Sequence, residues 1–359
     1  MNAHVLVTGT GSVSTATARA LLRRGIRVTL WAHAESASQL ATKARALEQD
    51  GVAGATLRGG DLRDERPLAS VDASDVTHVL HAAAVTRFDV DRATAEVLNV
   101  RGTRRVLAAA ARMPRLAHVV LASSVHAAGL SRGDIAEEAL ASPPGFANEY
   151  ERSKRLAEEC VRATDLPASV ARLGTLVVRD SDGGAVTENA VHLSLRMLRA
   201  GLLALVPGDP ATRLPLISAR FTGEALATLL LAGEAGATWH VVPEADDCPT
   251  LERCVSVARD QFAGSAAEAA RRGPAPPFVD LATFELLRGG AQGLAADVVT
   301  RALDAIAPFA AQLHAPKRFQ TTRTRAALGA LAPEDPVVLL RLACDALRSS
   351  RQLTGVSSC

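Results

Sequence analysis

The segment NEYERSKRLAEE, Asn148 to Glu159, carries the only tyrosine of the chain, Tyr150. Four residues later comes Lys154, one of just three lysines (Lys43, Lys154 and Lys317) in 359 residues. On a helix, positions i and i+4 share a face. A phenol titrates at about 10 when unperturbed. A neighbouring ammonium favours the phenolate and brings proton transfer toward neutrality. The plain alternative is a packed ring with the lysine on a solvated face. In a chain whose 40 cationic residues are nearly all arginine, the pairing points to chemistry.

A hydroxyl facing this pair would polarise a carbonyl oxygen while the phenol supplies the proton. LASSVHAAG places Ser123 and Ser124 at the end of an apolar run, where serines also occur for structural reasons alone. His126, two residues on, reads as structural. Asn99 in LNVRGT falls inside a helical stretch, where asparagine is a poor helix former, and reads as a buried hydrogen-bonding post or as simply exposed.

Near the start, TGTGSVS (Thr8 to Ser14) joins a strand to a helix. Gly9 and Gly11 allow a tight turn and close approach of backbone to a pyrophosphate, and Ser12 and Val13 open the helix toward its charge. Asp61 in GGDLRD, with Leu62 beside it, can accept from an adenine amino group. Ala82 and Ala83 in HAAAV are small where backbone passes a ribose or nicotinamide. An ordinary loop aspartate and a tight helix–sheet contact are the structural alternatives. The position of the glycine turn, at the first strand–helix junction, makes a dinucleotide site the stronger reading.

These residues need a scaffold. Apolar strand-like runs at 4–8, 26–31, 55–59, 77–83, 117–124 and 168–174 alternate with amphipathic stretches at 13–24, 36–49, 91–112 and 148–164. Such alternation predicts an α/β fold, a doubly wound parallel sheet of the Rossmann type. Residues 1–180 form the NAD(P)-binding domain, and 213–243 return to its sheet through a helix near 219–233 and the strand TWHVV. Residues 181–212, with a helix near 186–200, and 244–359 form a smaller, mostly helical substrate lobe. Within these, DSDGG reads as a loop and RRGPAPP (271–277) as a break.

Composition bounds the rest. With 48% apolar and 22% charged residues the chain can bury a core. A net charge of +2, with cations interspersed among acids, and 3% aromatics give no nucleic-acid signature. No apolar run is long enough to span a bilayer, and the start has no signal-peptide pattern. The five cysteines (160, 248, 254, 344 and 359) follow no metal-ligand spacing, so no metal site is expected and the thiols read as reduced in a cytoplasmic protein.

In order, TGxGxxS, Asp61-Leu62, His81-Ala-Ala, Asn99-Val-x-Gly-Thr, Ser123-Ser124 and Tyr150-x-x-x-Lys154 resemble the short-chain dehydrogenase/reductase superfamily, extended branch. The stretch LPASVARLGTLVVRDSDGG is most similar to reductases related to thioester reductase and fatty-acyl reductase domains. The match covers residues 4–225, with an echo in PKRFQTTRTRAAL (316–328). The resemblance implies a triad of Ser124, Tyr150 and Lys154 supported by Asn99, Ser124 being preferred because it lies five residues before Gly129. Lys154 would also hold the nicotinamide ribose.

Four departures stand out. The glycine turn is one residue short and ends in Ser14, whose Cβ threatens the helix or the pyrophosphate. His33 stands where NADP users carry arginine, so NADP(H) is expected, with NAD(H) as the alternative. Leu173 replaces a proline and Arg220 an aspartate, both expected to act on the substrate side. The expected activity is NADP(H)-dependent reduction of a ketone, aldehyde or acyl-thioester-derived carbonyl on a fairly apolar small molecule, possibly thioester-linked. The absence of a carrier segment in this chain inclines toward a ketone or aldehyde. An epimerase, dehydratase or isomerase that recycles NAD(P), or a non-catalytic sensor, are the other readings. A homodimer through 91–112 and 148–164 is a family expectation.

Overall fold

The computed structural model describes residues 3–180, 186–263, 274–293 and 297–349. Most of DSDGG, the start of RRGPAPP and Cys359 lie outside them. The first half runs β1 (His4–Thr8), α1 (Ser12–Arg23), β2 (Arg27–His33), α2 (Ala37–Gln49), β3 (Thr56–Gly60), β4 (His78–His81), a long helix α3 (92–110), β5 (His118–Ser124), β6 (Gly133–Ile135), α4 (Glu149–Arg162) and β7 (Ala168–Leu173). Then come β8 (Thr175–Val178), α5 (Ala190–Arg199), β9 (Val206–Pro207), β10 (Leu216–Ser218), α6 (Ala219–Ala232) and β11 (Thr238–Val241). The remainder is α7 (Leu251–Ala263), β12 (Phe278–Val279), α8 (Leu281–Gly293), α9 (Asp297–Ala310), β13 (Lys317–Phe319), α10 (Thr322–Leu328) and α11 (Pro336–Ser349).

Seven strands form one parallel sheet in the order β11-β7-β5-β4-β1-β2-β3. The order reverses beside β1, which creates the crevice at the carboxyl ends of β1 and β4 where doubly wound folds bind ligands. Alternate residues of a strand feed opposite cores. Val5 and Val7 pack with Ala18, Leu21 and Leu226 of α1 and α6, whereas Leu6 packs with Val106, Ala157 and Val161 of α3 and α4. Small residues let α6 lie close on α1: a Cβ at Gly223 would stand 2.4 Å from the backbone of Ala16.

Several expected bounds shift for local reasons. The strand expected at 26–31 continues to His33, which puts that side chain at the sheet edge facing the crevice. The helix expected from 186 starts at Ala190 because Asn189 caps it, its Oδ1 accepting from Val191 N–H at 3.0 Å. Of the segment 213–243, β11 joins the main sheet, whereas β10 pairs with β8 in a separate two-stranded ribbon. α5, α7 and α11 bury Leu195, Val257, Leu339 and Cys344 in a third core, and α5, α8 and α9 bury Met197, Phe284 and Ile306 in a fourth. Among the described residues no helix is long and apolar enough to cross a membrane, and no group of His, Cys, Asp and Glu is arranged to hold a metal.

Candidate active site

Gly9 turns the chain with φ +93°, and a Cβ there would fall 3.0 Å from Ser14 Oγ and 3.2 Å from Ala83 Cα. Only glycine fits both demands. Gly11 caps α1 in extended conformation, and a Cβ on it would meet nothing within 4 Å. The first turn of α1 has no side-chain cap and no acid, so its N–H groups and dipole point at the space before Gly11. This is a cradle that fits a pyrophosphate. Ser12 Oγ accepts from Thr187 N–H at 3.0 Å, so the chain before α5 crosses over this turn beside Val13. Ser14 does not push the helix away. It is buried, and its hydroxyl donates to Thr8 O at 3.1 Å, closing the shortened turn from inside.

Thr8 ties β1 to β4. Its hydroxyl accepts from Ala82 and Ala83 N–H at 3.1 and 3.2 Å, so its own proton goes to His81 Nδ1 at 2.8 Å. His81 Nε2 then carries the proton and donates to Thr103 Oγ1 at 3.1 Å, which donates to Asn99 O at 2.6 Å. Burial, with Lys154 nearby, pushes His81 down to about 3 and keeps it in this neutral tautomer.

At the far end of the crevice Asp61 Oδ2 lies 3.4 Å from His33 Nδ1 and 3.0 Å from Arg63 Nη1. Slight burial pushes the Asp61 carboxyl up, but hydrogen bonds from Arg63 and the charges of Arg63 and His33 hold it below its usual range. Glu35, which the motif reading passed over, stands 3.7 Å from His33 Nε2 on the other side. Leu62 is a core residue against Gly102, and its carbonyl accepts from Arg105 Nη1 at 2.8 Å.

The catalytic candidates meet between β5 and α4. Asn148 caps α4, its Oδ1 accepting from Glu151 N–H at 3.0 Å and its amide donating to Pro308 O of α9 at 2.8 Å. Tyr150, Lys154 and Glu158 then rise at successive turns along one stripe facing β5. Ser123 donates to Glu158 Oε1 at 2.6 Å. That bond commits Ser123 to the interior and leaves Ser124, whose Oγ accepts from His126 N–H at 3.3 Å, as the hydroxyl that favours ionisation of the Tyr150 phenol. Lys154 Nζ donates to Ala122 O at 2.7 Å between them.

The electrostatics differ from the sequence expectation. Burial pushes the Tyr150 phenol up to about 12, Ser124 pulls it back, and Glu151 adds to the rise. The expected lowering by Lys154 is absent because its ammonium is turned to the β5 carbonyl. Burial pushes Lys154 down to about 8, opposed by the charge of Glu158.

Asn99 sits in a π-helical turn, Glu96–Arg101, within α3. There its Oδ1 accepts from Val85 N–H at 2.9 Å, and its amide donates to Val85 O at 2.9 Å and Ser153 Oγ at 2.8 Å. It touches no open space; it fixes the 85–88 loop against α4. That loop sets Phe88 5.6 Å from the Tyr150 ring, 5.2 Å from His126 and 6.2 Å from Phe309 of α9, centroid to centroid. The buried Tyr150 ring thus packs against Phe88 and His126. His126 is half-buried, and desolvation, with the charge of Lys317, pushes it down to about 3.

Two further departures resolve as framework. Leu173 is buried in the first core, next to Gly174, whose Cβ would fall 2.4 Å from Pro215 O. Arg220, expected on the substrate side, instead donates from Nη2 to Glu334 at 2.6 Å. Sequence reasoning also missed Glu158, Arg172 and Phe88. Arg172 is fully buried and donates to Glu158 from Nε at 3.0 Å and Nη2 at 2.8 Å, and from Nη1 to His240 Nε2 at 3.0 Å. Only the bare ARLG pattern could have flagged it.

Comparison with known proteins agrees with this fold. No curated protein matches the chain. In fold it is similar to the terminal R domain of the myxalamid PKS-NRPS biosynthetic pathway, with TM-score 0.75 at 18% identity over 97% of this chain and 91% of that one. It is also similar to a thiolation-reductase di-domain from an archaeal non-ribosomal peptide synthetase, with TM-score 0.72 at 17% identity over 97% and 75% of the two chains. UDP-glucose 4-epimerase from Bifidobacterium longum, solved with NAD+ and UDP, matches with TM-score 0.63 at 15% identity over 96% and 98%. A family model described as the NAD dependent epimerase/dehydratase family matches residues 5–242, so the chain belongs to that family of NAD(P)-binding extended short-chain dehydrogenase/reductase proteins.

Proposed function

We propose that the protein is an NADP(H)-dependent oxidoreductase that reduces the carbonyl of a fairly apolar small molecule, a ketone, an aldehyde or an acyl-thioester-derived carbonyl. The observation that carries this reading is the Ser124–Tyr150–Lys154 group opening onto the Phe88–Phe309 wall, beside the Gly9–Gly11 cradle. NADP(H) is proposed over NAD(H) from His33 and Arg63 at the adenosine end, against the carboxylates Asp61 and Glu35.

When bound, the nicotinamide supplies a hydride. Ser124 donates a hydrogen bond to the carbonyl oxygen, where negative charge develops. Tyr150, protonated at neutral pH, gives that oxygen its proton, so one hydride and one proton convert a ketone or aldehyde to an alcohol, while a thioester would give a hemithioacetal that releases its thiol and leaves an aldehyde. Held at about 12, the phenol keeps its proton at neutral pH but is a weaker acid than an unperturbed one. Lys154, bonded to the Ala122 carbonyl, holds α4 against β5, and Phe88 and Phe309 exclude water.

The test is NADPH consumption against a panel of aldehydes, ketones and acyl thioesters, with Tyr150→Phe as control. Tyr150-dependent consumption with at least one class supports the reading. The second reading, an epimerase or dehydratase with recycled NAD(P), is motivated by the family match. It predicts protein that purifies with cofactor and shows no net absorbance change.

A further inference from the structure

Thr187 stands three residues before α5, yet in space it lies at the glycine turn after β1. Its N–H donates to Ser12 Oγ at 3.0 Å, and the Ser12 and Thr187 hydroxyls are 3.2 Å apart. The segment is pinned from behind. Asn189 donates from Nδ2 to Leu176 O at 2.7 Å, and His192 donates from Nε2 to Val177 O at 2.9 Å, so β8 fixes the start of α5. A hollow of about 40 Å³, lined by Ser12, Thr15, Arg179 and Val186, lies between this segment and the side of α1. The segment thus spans to the turn and meets it at Ser12.

The hydroxyl protons around the turn can be counted. Ser14 donates to Thr8 O at 3.1 Å, and Thr15 donates to Gly11 O at 2.5 Å, so both are spent on backbone. Ser12 and Thr187 differ. Two hydroxyls carry two protons, and the bond between them uses one. The other proton has no protein acceptor among the described residues. It stands at the first turn of α1, whose N–H groups have no side-chain cap. A spare donor beside an uncapped helix start suits an anion. Glu188, the next residue, does not oppose one, because its carboxylate is turned to Arg196 of α5.

We propose that Thr187 is a cofactor-binding residue, its hydroxyl donating to a pyrophosphate oxygen of the bound dinucleotide. The proposal rests on the dinucleotide reading of the glycine turn. Ser12 Oγ, by accepting the Thr187 N–H, fixes the backbone and leaves the Thr187 hydroxyl able to turn to the phosphate. α5, which follows, buries Leu195 in the third core and Met197 in the fourth. The dinucleotide is therefore held from the main sheet and from the helices beyond it at once.

The test is isothermal titration calorimetry of the full-length protein with NADPH and with 2′-phospho-ADP-ribose, which keeps the pyrophosphate and lacks the nicotinamide. Thr187→Val preserves the side-chain shape and the backbone N–H and removes the hydroxyl, whereas Thr187→Ser keeps it. Thr187→Val is expected to weaken both ligands about tenfold, the worth of one hydrogen bond to a charged group. Its urea unfolding midpoint is expected to stay native, since Thr187 is exposed. Thr187→Ser is expected to bind both ligands as the native protein does. Weakening of NADPH alone would place the hydroxyl on the nicotinamide half and overturn the pyrophosphate assignment. Native affinity of Thr187→Val for both ligands would overturn the proposal and leave the dinucleotide reading intact. Native protein that binds neither would overturn the reading and the proposal together.

Discussion

Ser123 donates to Glu158 Oε1 at 2.6 Å, and this one bond leaves Ser124 as the serine that faces the Tyr150 phenol. Glu158 is held in turn by two nitrogens of the buried Arg172, so the end of β5, the stripe of α4 and the strand β7 are locked in one arrangement. The two serines should separate on mutation. Ser124→Ala is expected to lower kcat by about a hundredfold or more while stability stays near native, as for loss of a donor to a developing oxyanion. Ser123→Ala is expected to lower stability by about 1–3 kcal/mol in urea unfolding, with most of kcat kept.

The Glu158–Arg172 pair should behave as a buried ion pair. Arg172→Met leaves the buried carboxylate with Arg162 as its remaining cationic partner and is expected to cost about 3 kcal/mol, part of which Glu158→Gln restores in the double variant. Burial raises the Glu158 carboxyl, but Arg172, Ser123 and Arg162 together hold it below its ordinary 4.5. A depressed folded value contributes stability that is present above the unfolded value and is lost as pH falls through the folded one. Acid unfolding of the native protein should therefore carry a component below about pH 4.5 that the double variant lacks.

Tyr150 is the only tyrosine, so its ionisation is directly visible as tyrosinate absorbance. With the phenol pushed up to about 12, the folded protein should show no tyrosinate signal where an unperturbed phenol is half ionised. A raised folded value stabilises below the unfolded value of about 10 and ceases to do so as pH passes the folded one. Alkaline unfolding and tyrosinate appearance should then coincide. A signal titrating near 10 in folded protein would contradict the burial shown here.

Asn99 makes three hydrogen bonds and reaches no open space. Asn99→Leu is expected to destabilise the fold by about 2–4 kcal/mol and to loosen the 85–88 loop. Because Phe88 then leaves the phenol, KM for an apolar carbonyl should rise along with a fall in kcat; the NADPH assay separates the two.

Much of this was legible in the sequence. The alternation of apolar runs and amphipathic stretches predicts the parallel sheet, since each strand must be apolar on both faces. Gly9, Gly11, Asp61, Tyr150 and Lys154 are short-range signals, and the structure sets them along one crevice. What was not legible depends on contacts far apart in the chain. The choice of Ser124 needs Glu158, the direction of Lys154 needs the Ala122 carbonyl, and Arg220 meets Glu334 only through the docking of the segment before α11.

The central claim is that this crevice binds a nicotinamide dinucleotide for hydride transfer. Trp31, in β2 and anchored by its indole N–H to Pro67 O at 2.7 Å, reports on the adenosine end, and Trp239 in β11 lies elsewhere. The most direct measurement is titration of purified protein with NADPH and with NADH, followed by tryptophan quenching and energy transfer to the nicotinamide. Saturable binding that is tighter for NADPH is the predicted result. Binding of neither, in protein that carries no cofactor already, would contradict the account at its base, whatever the arrangement of Ser124, Tyr150 and Lys154.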